Sequence, residues 1–225
     1  KTTMNLDLRD IPVVYINMDK DVEKRKRIEN YIDTIGFKNK IRVVGVQHME
    51  GPRAGCALAQ YNALYEIDPP FIILEDDATP FSFDPIVDIP DNTDALYLGI
   101  SSWGRMNSHS GPFVQYRKVE RARNGIAEID NNLLRVYNML STHAILYYSN
   151  EYVNLCKKIA YHQHELNEHV DIGFAEVQKY FNVYSFDQPL FYQTSSNGTN
   201  QKLTSYPTQE CFTYQRPFWL PTQIY

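Results

Sequence analysis

Basic charge is in deficit in this chain: Lys and Arg number 22 against 27 Asp and Glu, giving a net charge of −5 and a pI near 5.7. That excludes the electrostatic footprint of a nucleic-acid binder, and no basic stripe suggests a membrane surface. Cysteine is scarce. Cys56, Cys156 and Cys211 are odd in number and far apart, which argues against a disulfide framework or a zinc ribbon and predicts a reducing compartment such as the cytoplasm. No apolar run approaches the ~18 residues of a membrane span, and the N-terminus lacks the apolar core of a signal peptide. The familiar phosphate loops are missing too: there is no Gly-x-x-x-x-Gly-Lys, and no Gly-x-Gly-x-x-Gly after the first apolar strand.

What is present is ordinary globular composition, with 43% hydrophobic and 22% charged residues in 225, enough for one α/β domain with a sizeable core. Tyrosine (17) and phenylalanine (11) are abundant, and most read as a shell over that core. Ile11 to Asn17 predicts a buried strand, with Pro12 tolerable at its start. Asp19 to Gly36 predicts a helix whose outer face carries Lys24, Arg25, Lys26 and Arg27. Lys40 to Val46 completes a βαβ opening, and Gly55 to Ile67 is a second helix ended by Asp68-Pro69-Pro70. Strands follow at 71–74 and 94–99, then at 133–140 and 142–148. Further on come a helix at 150–164, a short one at 171–180 and a strand at 182–186. Residues 104–132 read as a long excursion with a hairpin. From Ser195 on the sequence is loop-like, and Asn197-Gly198-Thr199 matches a glycosylation sequon of a kind that also arises by chance.

The most informative junction is Phe71-Ile72-Ile73-Leu74-Glu75-Asp76-Asp77, where an apolar run ends in three carboxylates. Such a run is a strand buried on both faces, so its acids stand at the sheet's carboxyl edge, where open α/β sheets bind ligands. Adjacent carboxylates repel, and a cation relieves that repulsion. A divalent-metal site and a solvated acidic turn both fit this spacing. If a nucleotide binds, its phosphates must be held by a metal and by basic side chains, and hard oxygen ligands suit Mg²⁺ or Mn²⁺.

Val13-Val14-Tyr15-Ile16-Asn17-Met18-Asp19, with Arg25 downstream, then Gly55-Cys56-Ala57-Leu58 and Ile72-Ile73-Leu74-Glu75-Asp76-Asp77, together resemble the lipopolysaccharide-type glycosyltransferases of family 25. The likeness covers roughly the first 80 residues. Leu96 to Gly99, His143 to Tyr148 and Val170-Asp171 are plausible further counterparts. The resemblance implies a GT-A type α/β fold, a UDP-sugar donor, a glycan or glycoprotein acceptor and Mn²⁺ (or Mg²⁺) held by a DxD-like triplet. It further implies one transferase domain, residues 1–100 holding the nucleotide sugar and 101–225 the acceptor. The compact length is similar to that of small glycosyltransferase domains encoded by large algal (chlorella) viruses, which would place it in host cytoplasm. One departure is clear: the family carries Ser-His where this chain has Ala59-Gln60.

Carried over on that basis, Ile16 and Asn17 line the base and ribose pocket, unless Asn17 only caps a turn. Arg25 faces the nucleotide or belongs to a solvated helix face. Arg53, before the second helix, is either a phosphate ligand shared with the helix N-terminus or a surface residue. Strand alternation sends Glu75 and Asp77 to one side as metal ligands and Asp76 to the other, toward ribose or sugar hydroxyls. Asp171 is the candidate base for an inverting transfer and also a candidate helix cap, with His169 a further metal or phosphate contact. A zinc cluster of His162, His164 and His169 is disfavoured because i and i+2 on a helix do not face each other. Trp103, His109 and Tyr116 are placed by topology as an acceptor surface, and Asp187-Gln188-Pro189 as a floor. A sugar-phosphate nucleotidyltransferase and a non-catalytic glycan-binding module are the rival readings.

Overall fold

The computed structural model describes residues 2–80, 83–99, 126–128, 133–136, 139–186, 189–193, 195–196 and 199–200. In chain order the strands are β1 (Thr3–Asp7), β2 (Val13–Asn17), β3 (Lys40–Val44), β4 (Phe71–Glu75), β5 (Ala78–Pro80), β6 (Ile86–Pro90), β7 (Ala95–Tyr97), β8 (Ile126–Glu128), β9 (Leu133–Val136), β10 (Ala144–Tyr147), β11 (Val183–Phe186) and β12 (Phe191–Gln193). The helices are α1 (Val22–Ile35), α2 (Pro52–Leu64), α3 (Asn150–Glu165) and α4 (Val170–Val177).

The fold is α/β, as the sequence predicts: an eight-stranded mixed sheet in the order β3-β2-β4-β10-β7-β11-β9-β8, flanked by helices. β3, β2 and β4 run parallel, β10 is inserted antiparallel between β4 and β7, and β11 lies parallel to β7. Phe71, Ile72, Ile73 and Leu74 are each 0% exposed, so β4 is covered on both faces, and alternation splits them between two apolar layers. Phe71 and Ile73 join Ala57 and Ala63 of α2 and Tyr152 and Cys156 of α3. Ile72 and Leu74 join Ile28 and Ile32 of α1. Burying each such side chain contributes about 1.5–3 kcal/mol.

Elements differ from expectation at their ends. Proline at the first position lets α2 begin at Pro52 rather than Gly55, because that position needs no backbone donor. Gly55 lies inside the helix, where an added Cβ would sit 2.4 Å from the Val46 carbonyl oxygen, so only glycine lets α2 approach the loop after β3. β1 pairs with β6, and β5 with β12, in two small ladders that short stretches did not announce, and a third, Ser195–Ser196 against Thr199–Asn200, stands where the sequence reads as loop. Trp103, His109, Tyr116, Asp187, Gln188 and Cys211 lie outside the described residues, as does the 104–132 excursion apart from β8. Among the described residues no helix is long and apolar enough to cross a membrane.

Candidate functional site

β2 and β4 are adjacent and parallel with Ile16 opposite Glu75, so both end at the same carboxyl edge. β4 stops at Glu75 and the chain turns through Asp76 and Asp77 into β5, which aims the acids in different directions. Glu75 faces the α2 layer, where its Oε2 accepts from Gln60 Nε2 and from Thr142 Oγ1, each at 2.8 Å. Asp76 faces the α1 side and accepts from Asn17 Nδ2 at 2.7 Å. Asp77 Oδ2 accepts from Gln193 Nε2 at 2.8 Å, a contact fixed by the β5–β12 ladder.

Asp171, in the first turn of α4, joins this group through the segment that leads into β10. The Ser141 N–H donates to Asp171 Oδ2 at 2.9 Å, and Thr142 is the next residue, so two consecutive residues hold Asp171 and Glu75. Ser141 takes a φ of 81°, a left-handed conformation uncommon outside glycine, and costly positions of this kind gather at functional sites. Its Oγ lies 2.8 Å from Nδ1 of buried His143, whose imidazole fills the space that a side chain at Gly99 would take.

Electrostatics tie the cluster together. Burial, then the charge of Asp77, pushes the Glu75 carboxyl up to about 8 against the pull of its hydrogen bonds, with Asp171 adding to the rise. Burial raises Asp77 to about 6 and also raises Asp76, in each case against a hydrogen-bonding amide. Cys56, one turn before Gln60 on α2, is open to solvent on one side and walled by protein on the others. That enclosure, and then the charges of Glu75, Asp77, Asp171 and Asp76, push its thiol up to about 12. Burial holds His143 neutral, down to about 4.

Asn17, 1% exposed, is the hinge of the edge: Nδ2 also donates to the Asp21 carbonyl at 3.1 Å, and Oδ1 accepts from Arg42 at 3.0 Å. Arg42 continues to Asp19 at 2.9 Å. Sequence reasoning passed over Arg42, Ser141, Thr142 and Gln193. An arginine inside the otherwise apolar Ile41-Arg42-Val43-Val44 was the signal for the first; Gln193 offered none. Gln60 supplies an amide donor to Glu75.

Other expected residues are placed elsewhere. Arg25, itself exposed, pairs with Glu29 at 3.2 Å, and half-buried Glu29 also bonds the hydroxyl of buried Tyr15. Arg53 pairs with Glu168 at 3.3 Å, while Asn167 Oδ1 accepts the Ala54 N–H at 3.2 Å, so the α2 N-terminus is capped from the α3–α4 turn. His169 is exposed at the N-cap of α4 without a side-chain cap bond. Ile16 is half-buried at the end of β2.

Among the described residues no group of three or more His, Cys, Asp or Glu side chains is arranged to enclose a metal ion. For the divalent cation that the resemblance implies, the donor set fits in kind: Glu75 and Asp77 offer hard oxygens, and both are raised first by burial, Glu75 further by the Asp77 charge and Asp77 by that of Asp76. Phosphate oxygens and water would complete the shell.

No family model matches the chain. No curated protein matches it. Among solved structures, the nucleoside-diphosphate-sugar pyrophosphorylase from Vibrio cholerae RC9 is similar at 13% identity and a TM-score of 0.41, over 79% of this chain and 73% of that one.

Proposed function

We propose that the chain is a metal-dependent glycosyltransferase of the GT-A type, moving a sugar from a UDP-sugar to a hydroxyl of a glycan acceptor. The observation that carries this reading is the convergence of Asp171 with Glu75, Asp76 and Asp77 at the edge where β2 and β4 end, secured by Ser141 and Thr142. A bound Mn²⁺ or Mg²⁺ would supply Lewis-acid stabilisation of the departing diphosphate. Glu75 and Asp77 would hold it, Glu75 kept in place by Gln60 and Thr142 and Asp77 by Gln193. Asp76, tied to Asn17, faces the ribose or the sugar hydroxyls. Asp171, oriented by the Ser141 N–H, takes the proton of the acceptor hydroxyl as its oxygen bonds the sugar carbon and the bond to the diphosphate breaks.

The test is turnover of a panel of UDP-sugars with and without Mn²⁺. Asp77→Ala is expected to abolish metal-dependent turnover with the fold intact by circular dichroism. Full activity in that variant, or in the native chain under excess EDTA, overturns the reading. A second reading of the same acids is a sugar-phosphate nucleotidyltransferase, which joins a nucleoside triphosphate to a sugar phosphate. The β2–α1 connection, Asn17-Met18-Asp19-Lys20, has no glycine from which to build the phosphate loop usual in such enzymes. Turnover of a nucleoside triphosphate with a sugar phosphate would establish that activity, and absence of any metal-dependent UDP binding would leave a glycan-binding module.

A further inference from the structure

The basic run of α1 divides into two pairs with different surroundings. Arg25 pairs with Glu29, which also bonds the hydroxyl of buried Tyr15, and Lys26 pairs with Glu23 at 3.4 Å on the solvent side. Lys24 and Arg27, three apart and therefore neighbours on the helix surface, enter no ion pair among the described residues. Lys24 is half-buried and Arg27 exposed, and the position of Lys24 follows from the helix itself. Ile28 and Ile32, both 0% exposed, mark the face of α1 turned to the sheet, and Lys24 lies one turn before Ile28 on that face. The start of α1 is pinned to the edge by Asn17, whose single Nδ2 donates to both the Asp21 carbonyl and Asp76 Oδ2. Lys24, three residues after Asp21, thus stands where the core-facing stripe runs past the ends of β2 and β4. The charges agree with this placement: Lys24 and Arg27 each pull the Asp76 carboxyl down, though burial and the balance of the site leave it raised. Lys24 also pulls on Asp77.

We propose that Lys24 and Arg27 bind the phosphates of the nucleotide-sugar donor, from the α1 side of the cleft. This rests on reading the site as one for a nucleoside-diphosphate sugar. A chain without a glycine-rich loop must neutralise phosphate with side chains, and these cations flank the acids without being consumed by them. A lysine ammonium acts as a point charge and an arginine guanidinium as a two-pronged donor, a pairing suited to adjacent phosphate groups. Arg25, the residue pointed to by the family pattern, is engaged with Glu29 and is not needed for the role.

The test is calorimetric titration of UDP with Mn²⁺ present, at two salt concentrations, on the native chain, the double variant Lys24→Ala/Arg27→Ala, and Lys26→Ala as a control for loss of a positive charge on the solvent side of the same helix. The double variant is expected to bind UDP at least about tenfold more weakly. Its affinity should also depend less on salt, because screened charge contacts have been removed. Lys26→Ala is expected to bind as the native chain does, and all three should give the same circular dichroism spectrum. Native-like UDP affinity in the folded double variant overturns the phosphate assignment and leaves the transferase reading standing. Failure of the native chain to bind UDP, or any nucleoside diphosphate in a panel of bases, removes the donor reading and this assignment together.

Discussion

Asn17 Nδ2 and Asp76 Oδ2 lie 2.7 Å apart, joining the end of β2 to the turn that follows β4. The same asparagine receives Arg42 and holds the first turn of α1. Asn17→Ala therefore leaves the half-buried Asp76 carboxylate without its amide donor and removes one contact of Arg42, which keeps Asp19 and the residue 17 carbonyl. Leaving a buried polar group unsatisfied costs about 1–3 kcal/mol, so urea unfolding should show a loss in that range, with UDP affinity reduced. An unchanged midpoint would mean that the edge is not organised through Asn17.

Glu75 gives a pH signature with a definite sign. Its carboxyl is raised from an ordinary 4.5 to about 8 by burial and the neighbouring Asp77 charge, so between those values the folded chain holds a proton that the unfolded chain has released. Stability from this group consequently falls as pH rises through that window. In metal-free buffer the melting temperature of the native chain, relative to Glu75→Gln, should decline from pH 5 to pH 8. Mn²⁺ added at the upper end should raise it for the native chain more than for the variant. Parallel pH profiles would contradict the assigned environment.

How far the sequence foretold this arrangement depends on whether a feature is local. The apolar run into Glu75, the βαβ opening and the opposite facing of Glu75 and Asp76 follow from periodicity within a few residues, and each is found. The partners of the acids were not legible because they come from far along the chain: Thr142 lies 67 positions from Glu75, and Gln193 lies 116 from Asp77. Lys24 and Arg27 were read with Arg25 and Lys26 as one solvated face. A four-residue basic run necessarily wraps around a helix of 3.6 residues per turn, so part of it had to turn toward the sheet edge.

Cys56 should behave unlike an ordinary accessible thiol. It is exposed, yet its thiol is held up to about 12 by local enclosure and the charges of the surrounding carboxylates, so little thiolate is present at neutral pH. In a Cys211→Ser background, with Cys156 buried, alkylation at pH 8 should be far slower than for a free model thiol. Asp77→Asn should accelerate it by removing one of the named charges. A normal rate in the parent protein would place Cys56 away from the acids.

Gly99→Ala separates backbone from hydroxyl in the Ser141 segment. An added Cβ would lie 2.0 Å from Nε2 of His143, a buried side chain with nowhere to retreat, so the imidazole and the segment carrying it must shift. Overpacking of this kind costs about 1–3 kcal/mol, and here it also moves the Ser141 N–H that orients Asp171. Ser141→Ala removes the Oγ contact to His143 at 2.8 Å and leaves that N–H in place. If Asp171 is the base and the backbone is what positions it, Gly99→Ala should depress kcat much more than Ser141→Ala, at matched folded fractions. Equal losses would mean that the hydroxyl, acting through His143, is what holds Asp171 in position.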